Sequence, residues 1–142
     1  MGRLVGFDYG RARIGIAISD ERKIIASPVQ TLKMPKKKVL LLLQEIEKVL
    51  SPFKPFDSFV IGLPLLLNGK EGEMALEAKC FGEALFSHFK VPLIYWDERL
   101  SSSQADRLMK EDLLSRKQRA SHADTVAATL VLQNYLDYLS SR

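Results

Sequence analysis

A single cysteine, Cys80, stands in the 142 residues, so no internal disulfide can form and a cysteine-ligated zinc site is not expected. Cys80 falls in a helix-like stretch and reads as a small core residue. Long apolar runs are missing as well. The longest, Val39 to Leu43, is far too short to span a bilayer, so no membrane-spanning helix is expected in these residues. The opening residues hold Arg3 but no apolar segment ending in a small-residue cleavage site, so no secretory leader is expected and the cytoplasm is the expected compartment. There is no P-loop and no G-x-G-x-x-G, no internal repeat, no low-complexity tract and no linker long enough to divide the chain. One domain covering residues 1–142 is expected.

What is present suffices for a core: 46% of the residues are hydrophobic. The 21 Lys and Arg outnumber the 17 Asp and Glu, giving a net charge of +4. That mild basicity suits a polyanionic partner, but many soluble enzymes share it.

Residues 3–9 and 12–19 read as strands joined by Tyr9-Gly10-Arg11. In the second, Ile14, Ile16 and Ile18 alternate with Gly15, Ala17 and Ser19, giving a bulky face and a small one that a helix can approach closely. Residues 23–32 read as a third strand, at an edge because Pro28 interrupts it. From Pro35 to Leu50 the apolar period becomes helical, through Val39, Leu42, Leu43, Ile46, Val49 and Leu50. A buried strand at 57–64 follows, then a helix carrying Met74, Ala78, Phe81 and Leu85 and ending near Phe89. A strand at 91–99 and helices at about 101–112 and 121–139 complete the chain. The class is α/β. Strands 4 and 5 follow helical crossovers, so a five-stranded mixed sheet of order 3-2-1-4-5 is predicted, with strands 1, 4 and 5 parallel.

Sites in such sheets gather outside the carboxyl ends of the parallel strands. Here those ends carry Asp8, the Gly62-Leu63-Pro64 turn and Asp97-Glu98. One carboxylate at a strand tip usually satisfies turn amides. Carboxylates on neighbouring strands repel, and need arginine partners or a divalent cation; Arg11, Arg13 and Arg99 are near enough in sequence to form an ion-pair network instead. Asp124 opens the last helix, where an acid also suits the helix dipole. The small residues Ala123, Ala127 and Ala128 allow close packing that carries Asp124 over the end of strand 1. Oxygen donors without cysteine or histidine beside them favour Mg²⁺ or Mn²⁺, ions that support phosphodiester hydrolysis.

The stretches "GFDYGRARIGIAISD", "VIGLPLLLNGKEG", "YWDERLSSSQA" and "HADTVAATLVLQNYL", in this order, resemble the YqgF family. Its members are similar to Holliday-junction resolvases of the RuvC type and are described as nucleases of pre-16S ribosomal RNA. The resemblance covers nearly the whole chain. It implies a ribonuclease H-like fold, flanked by helices, with Asp8, Glu98 and Asp124 as catalytic, metal-binding acids. It selects Glu98 over Asp97, leaving Asp97 to orient Arg99 or cap the next helix. RuvC-type resolvases carry a further acid one helical turn beyond the last catalytic one; here that position is Ala127.

The expected activity is metal-dependent hydrolysis of structured nucleic acid, foremost at the 5′ end of pre-16S ribosomal RNA. The alternatives are a resolvase of branched DNA and a non-catalytic nucleic-acid-binding module, the latter disfavoured by the intact acids. A sugar-kinase or actin-like ATPase shares Asp-x-Gly in its first hairpin but needs two related lobes. Arg11, Arg13, Lys70, Arg116, Lys117 and Arg119 are the candidate phosphate contacts. The loop at 65–72 suits a phosphate held on backbone amides with Lys70, and Asn68-Gly69 equally suits a plain turn. Lys36 to Lys38 read as a solvated face. His122 reads as a local hydrogen-bonding group or a proton-transfer residue, and His88 and Trp96 as packing.

Overall fold

The computed structural model describes residues 2–34, 38–99 and 123–142, with side chains from Thr125 onward in the last stretch. The predicted helix at 101–112, the start of the helix predicted from Pro35, and Arg116, Lys117, Arg119 and His122 lie outside the described residues.

The apolar runs of the first third form β1 (Arg3–Tyr9), β2 (Arg13–Ser19) and β3 (Ala26–Lys33), an antiparallel meander. Strand β3 begins three residues later than predicted. The Asp20 carboxylate accepts hydrogen bonds from the Ile24 and Ile25 amides at 2.7 and 3.0 Å, holding those residues in the turn. Pro28 has no N–H to give a ladder. The β2–β3 register shifts there, Ile16 facing Gln30 and Ala17 facing Pro28, with Val29 as the extra residue.

Two helical crossovers follow. Helix α1 (Val39–Leu50) and a short 3₁₀ turn (Ser51–Phe53) lead into β4 (Phe56–Leu63), and α2 (Glu73–Phe89) leads into β5 (Leu93–Asp97). Both strands run parallel to β1, and the sheet order is β3-β2-β1-β4-β5, as predicted. The last helix is α3 (Ala123–Ser140). No helix among the described residues is long and apolar enough to cross a membrane.

The sheet separates two cores. On one face Val5, Phe7, Ile14, Ile16, Ile18, Phe59 and Ile61 pack under Leu42 and Ile46 of α1 and Phe81 and Leu85 of α2. On the other, Leu4, Ala17 and Val60 meet Ala128, Leu132 and Leu136 of α3. The bulky and small faces read from β2 are these two faces. The close approach is literal: a Cβ on Gly6 would stand 2.7 Å from Leu132 Cβ and 3.0 Å from the Ala128 carbonyl oxygen.

One expectation needs correction. Cys80 is exposed rather than in the core, because α2 buries the side carrying Ala75, Ala78, Phe81, Gly82 and Leu85. Helix α3 buries polar residues beside its apolar ones. Thr125, Thr129 and Gln133 are buried, and Gln133 has no exposure at all. Its amide serves the end of β3, accepting from Ala26 N at 2.9 Å and donating to Ile24 O at 3.0 Å. An edge strand with open backbone groups draws a polar side chain into the interface, and an apolar count along the helix misses it.

Candidate active site at the end of the central strand

Strand pairing decides which side chains share a surface, because successive residues point to opposite faces. Phe7 and Ile61 belong to the core under α1 and α2, and Val60 to the core under α3. Asp8 and Gly62, one residue further along their strands, therefore lie on the α3 face. They are adjacent, since β1 and β4 run in parallel register through Phe7↔Ile61.

Glu98 reaches this place from β5. Trp96 pairs with Gly62 and Asp97 with Leu63, and Trp96 packs on the α3 side. The alternation continues one residue past the strand and returns Glu98 to that face. Its backbone N–H donates to Leu63 O at 3.2 Å. Its side chain lies across Gly62: a Cβ there would stand 2.4 Å from Glu98 Oε1 and 3.0 Å from Cδ. Any side chain at position 62 would take the space the carboxylate fills. A glycine near the end of a buried strand is a legible sign of close approach, and it is the sequence signal that the residue-type reading passed over.

Asp97 faces the other way and grips Arg99. The guanidinium donates to both carboxylate oxygens at 2.8 to 3.2 Å, and Arg99 N donates to Asp97 Oδ1 at 2.9 Å. Hydrogen bonding from Arg99 holds the Asp97 carboxyl below its ordinary pKa, against a smaller opposing effect of burial. This turn ends β5 at Asp97, short of the predicted residue 99.

The direction of α3 follows from two contacts with β3. The Thr125 hydroxyl hydrogen-bonds that of Thr31, and Thr31, Gly15 and Asp8 form one row across the sheet. Gln133 binds Ala26, which faces Ser19 at the opposite end of β2. Helix α3 thus runs antiparallel to β1, and its first turn, with Asp124 adjoining Thr125, lies at the Asp8 end of the sheet. Among the described residues no three metal-binding side chains form a group. Two carboxylates, Asp8 and Glu98, are described on this surface, and the Asp124 side chain lies outside the described residues.

The basic candidates divide between the faces. Arg11 turns to α2, where it donates to both Glu77 oxygens at 2.7 to 3.1 Å and to Glu73 at 3.4 Å. Tyr9 donates to the same Glu77 at 3.2 Å. The hydrogen bonds from Arg11 are the main reason the Glu77 carboxyl is held below its ordinary pKa. Arg13, two residues before Gly15, shares the α3 face with Asp8 and is exposed. Lys70 is exposed on the turn after β4, but the neighbouring amides are occupied. Gly69 N donates to Leu66 O at 2.8 Å and Lys70 N to Asn68 Oδ1 at 2.9 Å. With Gly69 at φ +84°, this segment is a closed turn and not an amide cradle for phosphate. Arg99 fastens it, donating to Leu66 O and Leu67 O, each at 3.4 Å. His88 pairs with Glu47 at 2.8 Å, and Trp96 packs edge-on to Tyr135.

The family model that matches is RuvX, described as Holliday junction resolvase, and it covers residues 2–138. The chain belongs to the RuvX family. Relatives bearing the name "Putative pre-16S rRNA nuclease" include one from Protochlamydia amoebophila, 43% identical, with 95% of this chain and 93% of the relative covered. Another, from Agathobacter rectalis, is 39% identical, with 98% and 97% covered. The resemblance carried by the four motifs holds. Membership in the RuvX family makes the protein a hydrolase acting on ester bonds, of the nuclease type. Solved structures with the same fold include Thermus thermophilus RuvC in complex with a Holliday junction substrate, at TM-score 0.65 and 14% identity, covering 99% of this chain and 97% of that one. The Fowlpox virus resolvase with Holliday junction DNA gives a TM-score of 0.54 at 15% identity, covering 96% and 98%. The ribonuclease H-like fold of the RuvX family is thus the fold found here.

Proposed function

We propose that this protein is a metal-dependent nuclease acting in the cytoplasm on structured nucleic acid, with pre-16S ribosomal RNA as its substrate and Asp8, Glu98 and Asp124 as its acids. The observation that carries the proposal is the Glu98 carboxylate lying over Gly62 beside Asp8, on the face where α3 begins. Two neighbouring carboxylates on one partly open surface offer hard oxygen donors of the kind Mg²⁺ and Mn²⁺ take. The space at Gly62 fits that use, since it lets a carboxylate approach the sheet without a side chain beneath it. A bound divalent ion supplies an activated water and neutralises charge on the phosphate.

The protein's own residues do the rest. Asp8 offers its carboxylate from the rigid central strand, and Glu98 is held by its backbone bond to Leu63 and by the surface of Gly62. Asp97 and Arg99 fasten the turn at 65–70 that carries Lys70. Arg13, Lys70, Arg116, Lys117 and Arg119 take the phosphate backbone, which gives shape recognition without base reading. Arg11 serves α2 through Glu73 and Glu77.

A second reading, cleavage of a four-way DNA junction, is favoured by the description of the family. Incubation of a ribosomal precursor and a four-way junction side by side, with Mg²⁺, Mn²⁺ or EDTA, separates the two. Cleavage of the precursor alone, abolished by EDTA, is expected; cleavage of the junction alone reverses the order, and cleavage of neither with any ion overturns the nuclease proposal.

A further inference from the structure

Beyond the Asp8 row, two cations stand side by side. Arg13 and Lys33 are direct cross-strand partners at the ends of β2 and β3. Lys33 lies two residues past Thr31, whose hydroxyl meets Thr125 of α3, and Arg13 lies two residues before Gly15. Both therefore belong to the α3 face, in the next same-face row after Thr31, Gly15 and Asp8. Two strand residues span about 7 Å, close to the separation of successive phosphates along a nucleic-acid strand. Both residues are exposed, and among the described residues neither pairs with a carboxylate, whereas Arg11 is taken up by two. Like charges placed directly opposite on a sheet are unfavourable by themselves. A shared anion removes that penalty.

We infer that Arg13 and Lys33 form a single phosphate seat next to the catalytic acids, so that the substrate strand leaves the site across β2 and β3. This inference rests on the nuclease proposal and adds a residue, Lys33, and a path. A strand leaving this way crosses the antiparallel half of the sheet and not the β5 edge. The seat takes a backbone phosphate of RNA or DNA alike, so it contributes affinity without base preference.

The test is binding without cleavage, using a fluorescent single-stranded RNA in EDTA over a range of salt. Each phosphate contact contributes a slope of about 0.7 in the logarithm of affinity against the logarithm of salt for a single strand. Lys33→Gln and Arg13→Gln should each weaken binding, and the double variant should reduce the slope by roughly one such contact, because the two cations share one phosphate. Lys33→Glu provides an internal control for folding. It gives Arg13 a carboxylate partner and should raise the melting temperature while weakening binding more than Lys33→Gln does. A Lys33→Glu protein that melts higher but binds like wild type overturns the seat. So does a double variant with unchanged slope, even where wild type cleaves in Mg²⁺, and in that case the nuclease proposal stands alone. Wild type that neither binds nor cleaves removes both.

Discussion

The two faces of the sheet use opposite materials. Under α1 and α2 lie rings and branched chains: Phe7 meets Phe59 and Phe81 edge-on, with centroids 5.2 and 5.8 Å apart, and Arg11 and Glu77 at the rim there are paired with each other. Under α3 lie Gly6, Gly15, Ala17 and Gly62, and at the end of that face stand Asp8 and Glu98. The first face is filled by volume. The second is defined by missing volume, which lets a helix approach the sheet and a carboxylate lie flat on it. Bulk supplies stability, and the small residues supply access for chemistry.

The strongest way to break this contrast is Asp8→Asn. The amide keeps the shape and loses the charge, so cleavage should fall by at least about a thousandfold, as when a key charge-stabilising group is removed. The melting temperature should stay or rise, because one of two neighbouring anions is gone. Cleavage at the wild-type rate would remove Asp8 from the site. On the other face, Phe7→Ala should do the reverse. It deletes a fully buried ring and should cost about 3–5 kcal/mol of stability, measured by urea denaturation, while the activity per folded molecule is retained.

Two glycine substitutions on the α3 face sharpen the comparison. Gly62→Ala drives a methyl group into the Glu98 carboxylate, a flexible side-chain end, and should lower turnover about a hundredfold by misplacing it with little change in melting. Gly6→Ala drives a methyl group into the Ala128 carbonyl and Leu132, which cannot swing away, and should cost about 1–3 kcal/mol. If Gly62→Ala unfolds the protein and Gly6→Ala leaves it as stable as wild type, the division of roles along this face is wrong.

The smallest effect is expected at Asp97. Hydrogen bonds from Arg99 hold its folded pKa below the unfolded value, which is near 3.9. The pair therefore stabilises the protein fully above about pH 4 and loses that contribution as the pH falls through the lower folded value. Thermal melts of wild type and Asp97→Asn should differ at neutral pH and converge in acid. A gap that widens in acid would contradict the assigned sign.

Much of this could be read before any coordinates. The bulky and small alternation of β2, the edge position forced by Pro28, and the crossovers that make β4 and β5 parallel to β1 are consequences of side-chain period and chain connectivity, which are local. The acids at strand ends were legible for the same reason, since an apolar run ending in a carboxylate marks its own boundary. The choice between Asp97 and Glu98 was not local: alternation says that they face opposite ways, but only the pairing of Trp96 with Gly62 says which way is Asp8's. Arg11 and Arg13 are alike in sequence, and the sheet sends one to the glutamates of α2 and the other to the face of the acids. Gln133, Thr125 and the Arg13–Lys33 row depend on which helix lies over which strand, and that is settled by packing between segments about a hundred residues apart. Sequence alone determined the elements, their order and the kinds of group at the site; tertiary structure decided which face each group shares, because sidedness exists only once the strands are paired.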